Sequence, residues 1–96
     1  MPDVVRFSNW LELEGLKDRA YVLDESVSWT QLSAAVFYAD MTLKVLTPET
    51  LLTLLADGAP IHAMMRRQSQ LVPPGVQARV IDSGREYDLL ELSLPR

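Results

Sequence analysis

The chain has 96 residues, a mass of 10.8 kDa and a formal net charge of −4, enough for one globular domain over residues 1–96. With 48 % hydrophobic and 23 % charged side chains it carries the apolar content of a folded protein, which excludes a disordered chain. It has no cysteine, which excludes disulfides, thiolate nucleophiles, zinc ribbons and iron–sulfur clusters. The longest uncharged run, Ser26 to Ala39, covers 14 residues, short of the roughly 20 that a membrane span needs.

In the N-terminal third, Val4 to Phe7 reads as a short strand, followed by Trp10 to Leu13 and Arg19 to Leu23 as two more joined around Gly15. A rival reading makes Leu16 to Leu23 one helix, so residues 9–25 are left open. Ser28 begins a helix that runs to about Ala39, with Gln31 at capping-box spacing. Trp29, Leu32, Val36 and Ala39 make one apolar stripe on it, and Ala34, Phe37, Tyr38 and Met41 make another. A helix apolar on two faces is either enclosed or shared with a second chain. Met41 to Leu46 alternates as a strand.

Thr47 to Asp57 is a helix with both ends marked. Thr47 suits the N-cap, Pro48 the first helical position, Glu49 the positive end of the dipole, and Gly58 a left-handed terminus. Its stripe is Leu51, Leu52, Leu54 and Leu55, opposite Glu49, Thr53 and Asp57. Ile61 to Gln70 fits helix and strand spacing equally well, and residues 60–70 stay open too. Val72-Pro73-Pro74-Gly75 is a loop. After it, Val76 to Ile81 and Glu86 to Leu94, joined by the turn Asp82–Arg85, make a hairpin. Leu90, Leu92 and Leu94 should face the core, with Glu91 and Ser93 toward water.

The chemistry-bearing residues are few. His62 is the one histidine, so any histidine-based acid, base or triad would use it, yet it stands beside Ala63, Met64 and Met65 in a packing context. No serine lies in a nucleophile elbow, and four scattered glycines form no phosphate loop. No acidic run has the spacing of a calcium loop. The expectation is therefore no enzyme, no catalytic residue, no cofactor and no metal. Arg66-Arg67 is the densest basic feature, and an acidic chain with only that pair argues against direct nucleic-acid binding.

The expected fold is α+β: a mostly antiparallel sheet of four or five strands, two helices on one face, and a C-terminal hairpin. The expected function is a small acidic protein acting by protein–protein contact in an accessory, regulatory or antagonist role, with a protein partner or itself as a homodimer. Trp29, Phe37, Tyr38 and Met41 are the candidate contact residues, since large aromatic side chains dominate interface energies. The alternative is a small-molecule sensing domain in which His62, Arg66 and Arg67 hold an anion beside Met64, Met65 and Trp29. Seven arginines against two lysines suggest a GC-rich bacterial coding bias. The absence of cysteine, of a basic leader (Asp3 stands near the start) and of a membrane span points to the cytoplasm.

Overall fold

The computed structural model describes residues 3–16, 20–23, 44–67 and 72–95. Within them the chain forms α1 (Asp3–Leu13), β1 (Ala20–Leu23), β2 (Lys44–Leu46), α2 (Pro48–Leu55), β3 (Ile61–Arg66), β4 (Gln77–Ser83) and β5 (Tyr87–Ser93). The strands make one sheet in the order β2-β1-β3-β5-β4. β1 runs parallel to β2 and to β3 over three paired positions each. The antiparallel ladders of β3 with β5 and of β4 with β5 carry six each. The result is the expected α+β fold with a mostly antiparallel five-stranded sheet and a C-terminal hairpin.

The main correction is at the start. Val4 to Phe7 and Trp10 to Leu13 are not strands but parts of one helix, α1. Val4, Phe7, Ser8 and Leu11 recur at the spacing of a helical stripe, and all four are fully buried. The β-branched and aromatic residues that favour a strand locally are outweighed by burying that stripe against the sheet. Gly15 closes the helix rather than joining two strands. At φ +71° it lets Leu16 N–H reach the Leu11 carbonyl (2.8 Å) and its own N–H reach that of Glu12 (3.1 Å), a Schellman ending. β1 falls where Arg19 to Leu23 was expected, which removes the rival helix from Ala20 onward.

α2 starts where the sequence placed it and ends two residues earlier, at Leu55 rather than Asp57. Thr47 accepts the Thr50 N–H at 3.3 Å, Pro48 opens the helix, and Gly58 takes φ +89°. Leu51 and Leu55 are buried and Leu54 partly so, while Leu52 is exposed. The expected helix over Ser28–Ala39 lies outside the described residues. The two described helices are divided between the sheet faces. α1 packs on Ala20, Val22, Met64, Tyr87 and Leu89, and α2 packs on Leu23, Leu46, Ile61, Ala63, Met65, Leu90 and Leu92. Ile61–Arg66 is therefore a strand, because alternate residues along it feed two different cores. β5 is buried in the same two-sided way. Leu89 is as enclosed as Leu90 and Leu92, and Leu94, expected in the core, is exposed.

One polar contact ties the ends of the chain together. The Asp3 carboxylate accepts the backbone N–H groups of Arg85 (3.2 Å), Glu86 (2.9 Å) and Tyr87 (3.2 Å) in the β4–β5 turn. Burial alone would raise its pKa. The three N–H donors and nearby Arg6 outweigh that and hold it below the ordinary carboxylate value. Arg6, one helical turn on, reaches Asp82 (3.2 Å) and the Ser83 carbonyl (3.0 Å). Gly84 is required beside this seat, because a Cβ there would overlap the Asp3 carboxyl group.

Asp3→Ala should lower stability by about 2 kcal/mol in urea unfolding, since charge-assisted bonds are lost and turn donors are left unpaired. Gly84→Ala should be as damaging alone, yet cost much less when combined with Asp3→Ala, because the clash partner is gone. Additive losses would refute the seat.

Candidate functional site

The sequence-predicted contact residues Trp29, Phe37, Tyr38 and Met41 lie outside the described residues. The predicted anion-binding residues all lie on or next to β3, but the structure divides them.

His62 sits on the α1 face of β3 and is only 4 % exposed. The Trp10 ring of α1 lies 6.2 Å away, centroid to centroid. Register places Glu91 of β5 directly opposite His62, and Arg79 of β4 opposite Glu91. The three side chains meet accordingly. His62 Nε2 is 3.5 Å from Glu91 Oε2, and the same oxygen accepts from Arg79 Nη2 at 3.1 Å. His62 Nδ1 is buried with no hydrogen-bond partner among the described residues. Burial lowers the His62 pKa below the ordinary histidine value. Glu91 opposes that, and Arg79 adds to it. The imidazole is thus a neutral group enclosed beneath a tryptophan. Glu91 and Arg79, with Gln77, Ala78 and Ser93, line a shallow depression of about 520 Å³ beside it.

Arg66 and Arg67 stand at the other end of β3, where it meets the β4–β5 turn. Both are exposed, and with Arg85 and Glu86 they line a second open depression, of about 440 Å³. Arg67 donates from its backbone to the Glu86 carbonyl (2.8 Å) and from Nη1 to the Gly84 carbonyl (3.3 Å), and its Nε lies 3.8 Å from Asp88 Oδ1. The Arg66 guanidinium lies 5.8 Å from the centre of the Tyr87 ring, its cross-strand neighbour. The arginines therefore belong together, while His62 is not among the residues lining their depression. Met64 and Met65 are core residues, 0 % and 7 % exposed, on opposite faces of the sheet.

Sequence reasoning missed Arg85, which joins Arg66 and Arg67 only because the hairpin turn folds beside the end of β3. It also missed Glu91 and Arg79, whose pairing depends on the β4–β5 register and its irregularity between Val80 and Asp82. Among the described residues no cluster of three or more histidine and carboxylate groups could hold a metal ion, and no described helix is long and apolar enough to cross a membrane. The sequence matches no protein-family model, and searches of curated proteins and of solved structures find no match.

Because its folded pKa lies below that of the unfolded chain, near 6.5, His62 contributes stability that is full above that value and is lost as pH falls below it. The Asp3 seat works in a more acidic window: it stabilises above about 3.8 and is lost as pH falls through the lower folded value. The urea midpoint should fall between pH 7 and about 5. In His62→Leu that fall should be largely absent, and an unchanged slope would contradict a neutral buried His62.

Proposed function

We propose that this chain is a small acidic, non-enzymatic bacterial protein of the cytoplasm that works by protein–protein contact in an accessory, regulatory or antagonist role. Its contact surface is the outer edge of β4, and the occupant is a second copy of the chain. The single observation that carries this reading is the state of that edge. β4 pairs with β5 on one side and, among the described residues, with nothing on the other. Gln77 to Val80 are all exposed, and Val80 retains 55 % of its surface. An edge strand with unpaired N–H and C=O groups is a template for another strand.

Side-chain order favours self-pairing. By register, Ala78 and Val80 lie on the α2 face opposite Leu92 and Leu90, while Gln77 and Arg79 point to the α1 face. An antiparallel pair of β4 strands centred on Ala78 sets Val76 against Val80 on the apolar face and Gln77 against Arg79 on the polar one. No like charges oppose each other. The irregularity between Val80 and Asp82 bends the strand beyond that stretch and limits pairing to its first half. An interface of about five residues a side is small, so association should depend on concentration. The non-enzymatic part rests on His62, which is enclosed under Trp10 rather than presented to a substrate.

The chain lacks cysteine, so Ala78→Cys introduces a unique thiol at the two-fold axis. Directly opposite residues of an antiparallel pair are about 4.5–5.5 Å apart at Cα, within disulfide reach. Mild oxidation should convert Ala78→Cys to a covalent dimer of twice 10.8 kDa, while Glu49→Cys on the exposed side of α2 stays monomeric. Equal cross-linking of both, or of neither at concentrations where light scattering finds a dimer, would overturn this surface.

A further inference from the structure

A second feature stands apart from the β4 edge. We propose that the corner formed by Arg66, Arg67 and Arg85 is a binding site for the phosphate group of a small soluble ligand. Three guanidinium groups from two chain segments, the end of β3 and the β4–β5 turn, line one depression of about 440 Å³ with a single carboxylate, Glu86, among them. They do so in a chain whose overall charge is −4, so the sign of this corner opposes that of the molecule. With Glu86 at the rim and Asp88 beside Arg67, the three guanidinium groups still leave an excess of positive charge that an added anion would neutralise.

Two of the three groups are held in place by the protein. Arg67 is fixed by the Gly84 carbonyl and by Asp88, and Arg66 by the face of Tyr87. These contacts use part of the five donors that each guanidinium carries and leave the rest to a ligand. The Arg85 guanidinium has no ion-pair partner among the described residues. Its backbone is anchored, because the N–H groups of Arg85, Glu86 and Tyr87 all go to Asp3. That seat has two effects on the site. It keeps the turn rigid, so little ordering is left for a ligand to impose. It also occupies the backbone donors of the turn with an internal anion, so an external one must be taken by the arginine side chains.

Ligand class follows from the number and shape of the donors. A carboxylate offers two oxygens and is satisfied by one arginine fork, whereas a terminal phosphate offers three and can meet several forks at once. A volume of about 440 Å³ leaves room beyond one phosphate for the group that carries it. Glu86 at the rim opposes any anion and sets a limit on affinity. The same phosphate chemistry occurs on lipid headgroups, and the experiment separates the two sources.

The test is a titration of the full chain with inorganic pyrophosphate, followed by calorimetry and by amide chemical shifts, with chloride matched for ionic strength. Saturable binding that shifts residues 66–67 and 84–87 is expected, and it should weaken steeply as salt rises. Arg85→Ala should weaken it about tenfold, with the unfolding midpoint unchanged. Arg79→Ala removes the same charge outside the corner and should leave binding intact, and Glu86→Gln should tighten it. Absence of saturation would overturn the proposal, as would equal weakening by Arg79→Ala and Arg85→Ala, which would mean diffuse charge attraction. Binding to phosphatidate vesicles that excess pyrophosphate does not displace would assign the corner to a lipid surface and overturn the soluble-ligand reading.

Discussion

The fold depends on one carboxylate and the three backbone donors that hold it. Asp3 opens α1, and its side chain is received by the turn between the last two strands, more than eighty residues along the chain. This contact fixes where α1 begins on the sheet. The helical repeat then carries Val4, Phe7 and Leu11 across the face and brings Trp10 over His62. Arg6 doubles the tie by reaching Asp82 and Ser83. The same contact fixes the turn that carries Arg85, so the packing of the helix and the geometry of the arginine corner share one cause.

A second constraint is the division of the sheet into a covered centre and two edges. β1, β3 and β5 send alternate residues into two cores, one under α1 and one under α2, and their side chains are committed to packing. That commitment accounts for the enclosure of Met64 and Met65, and for a histidine held neutral at the end of an apolar layer. Among the described residues, what remains for contact with other molecules lies at the margins. β4 offers an open edge with Ala78 and Val80 beside it, and the end of β3 together with the β4–β5 turn offers three arginines. The two surfaces differ in chemistry, one a backbone template and the other a cation cluster, and neither uses His62.

How much of this was legible in the sequence varied with how local the cause was. α2 was readable at its start and to within two residues at its end, because Thr47, Pro48 and Gly58 act within a few residues of themselves. The hairpin was readable from its β-branched runs and from the Asp-Ser-Gly between them, although the first strand runs two residues further into the turn than expected, to Ser83, and the second starts one residue later, at Tyr87. α1 was misread. Val4, Val5 and Phe7 favour a strand by propensity, and the contact that secures the helix lies at the opposite end of the chain. Ile61–Arg66 could not be decided by periodicity, because a strand buried on both faces has no alternation to read. Among the site residues, Arg66 and Arg67 were visible as neighbours in sequence. Arg85, and the grouping of His62 with Glu91 and Arg79, arise only from strand register, which a single substitution of bulge or turn length would move.

The proposed function rests on strand pairing at β4 more than on any single side chain. Its most direct test is amide hydrogen exchange along residues 77–80, followed by mass spectrometry or NMR while the protein is diluted through the range in which it associates. Exchange at these positions should slow as concentration rises, in step with the mass seen by light scattering, while β3 and β5 are unaffected. A mass that doubles while exchange along residues 77–80 stays constant would place the contact elsewhere and rule out pairing through β4.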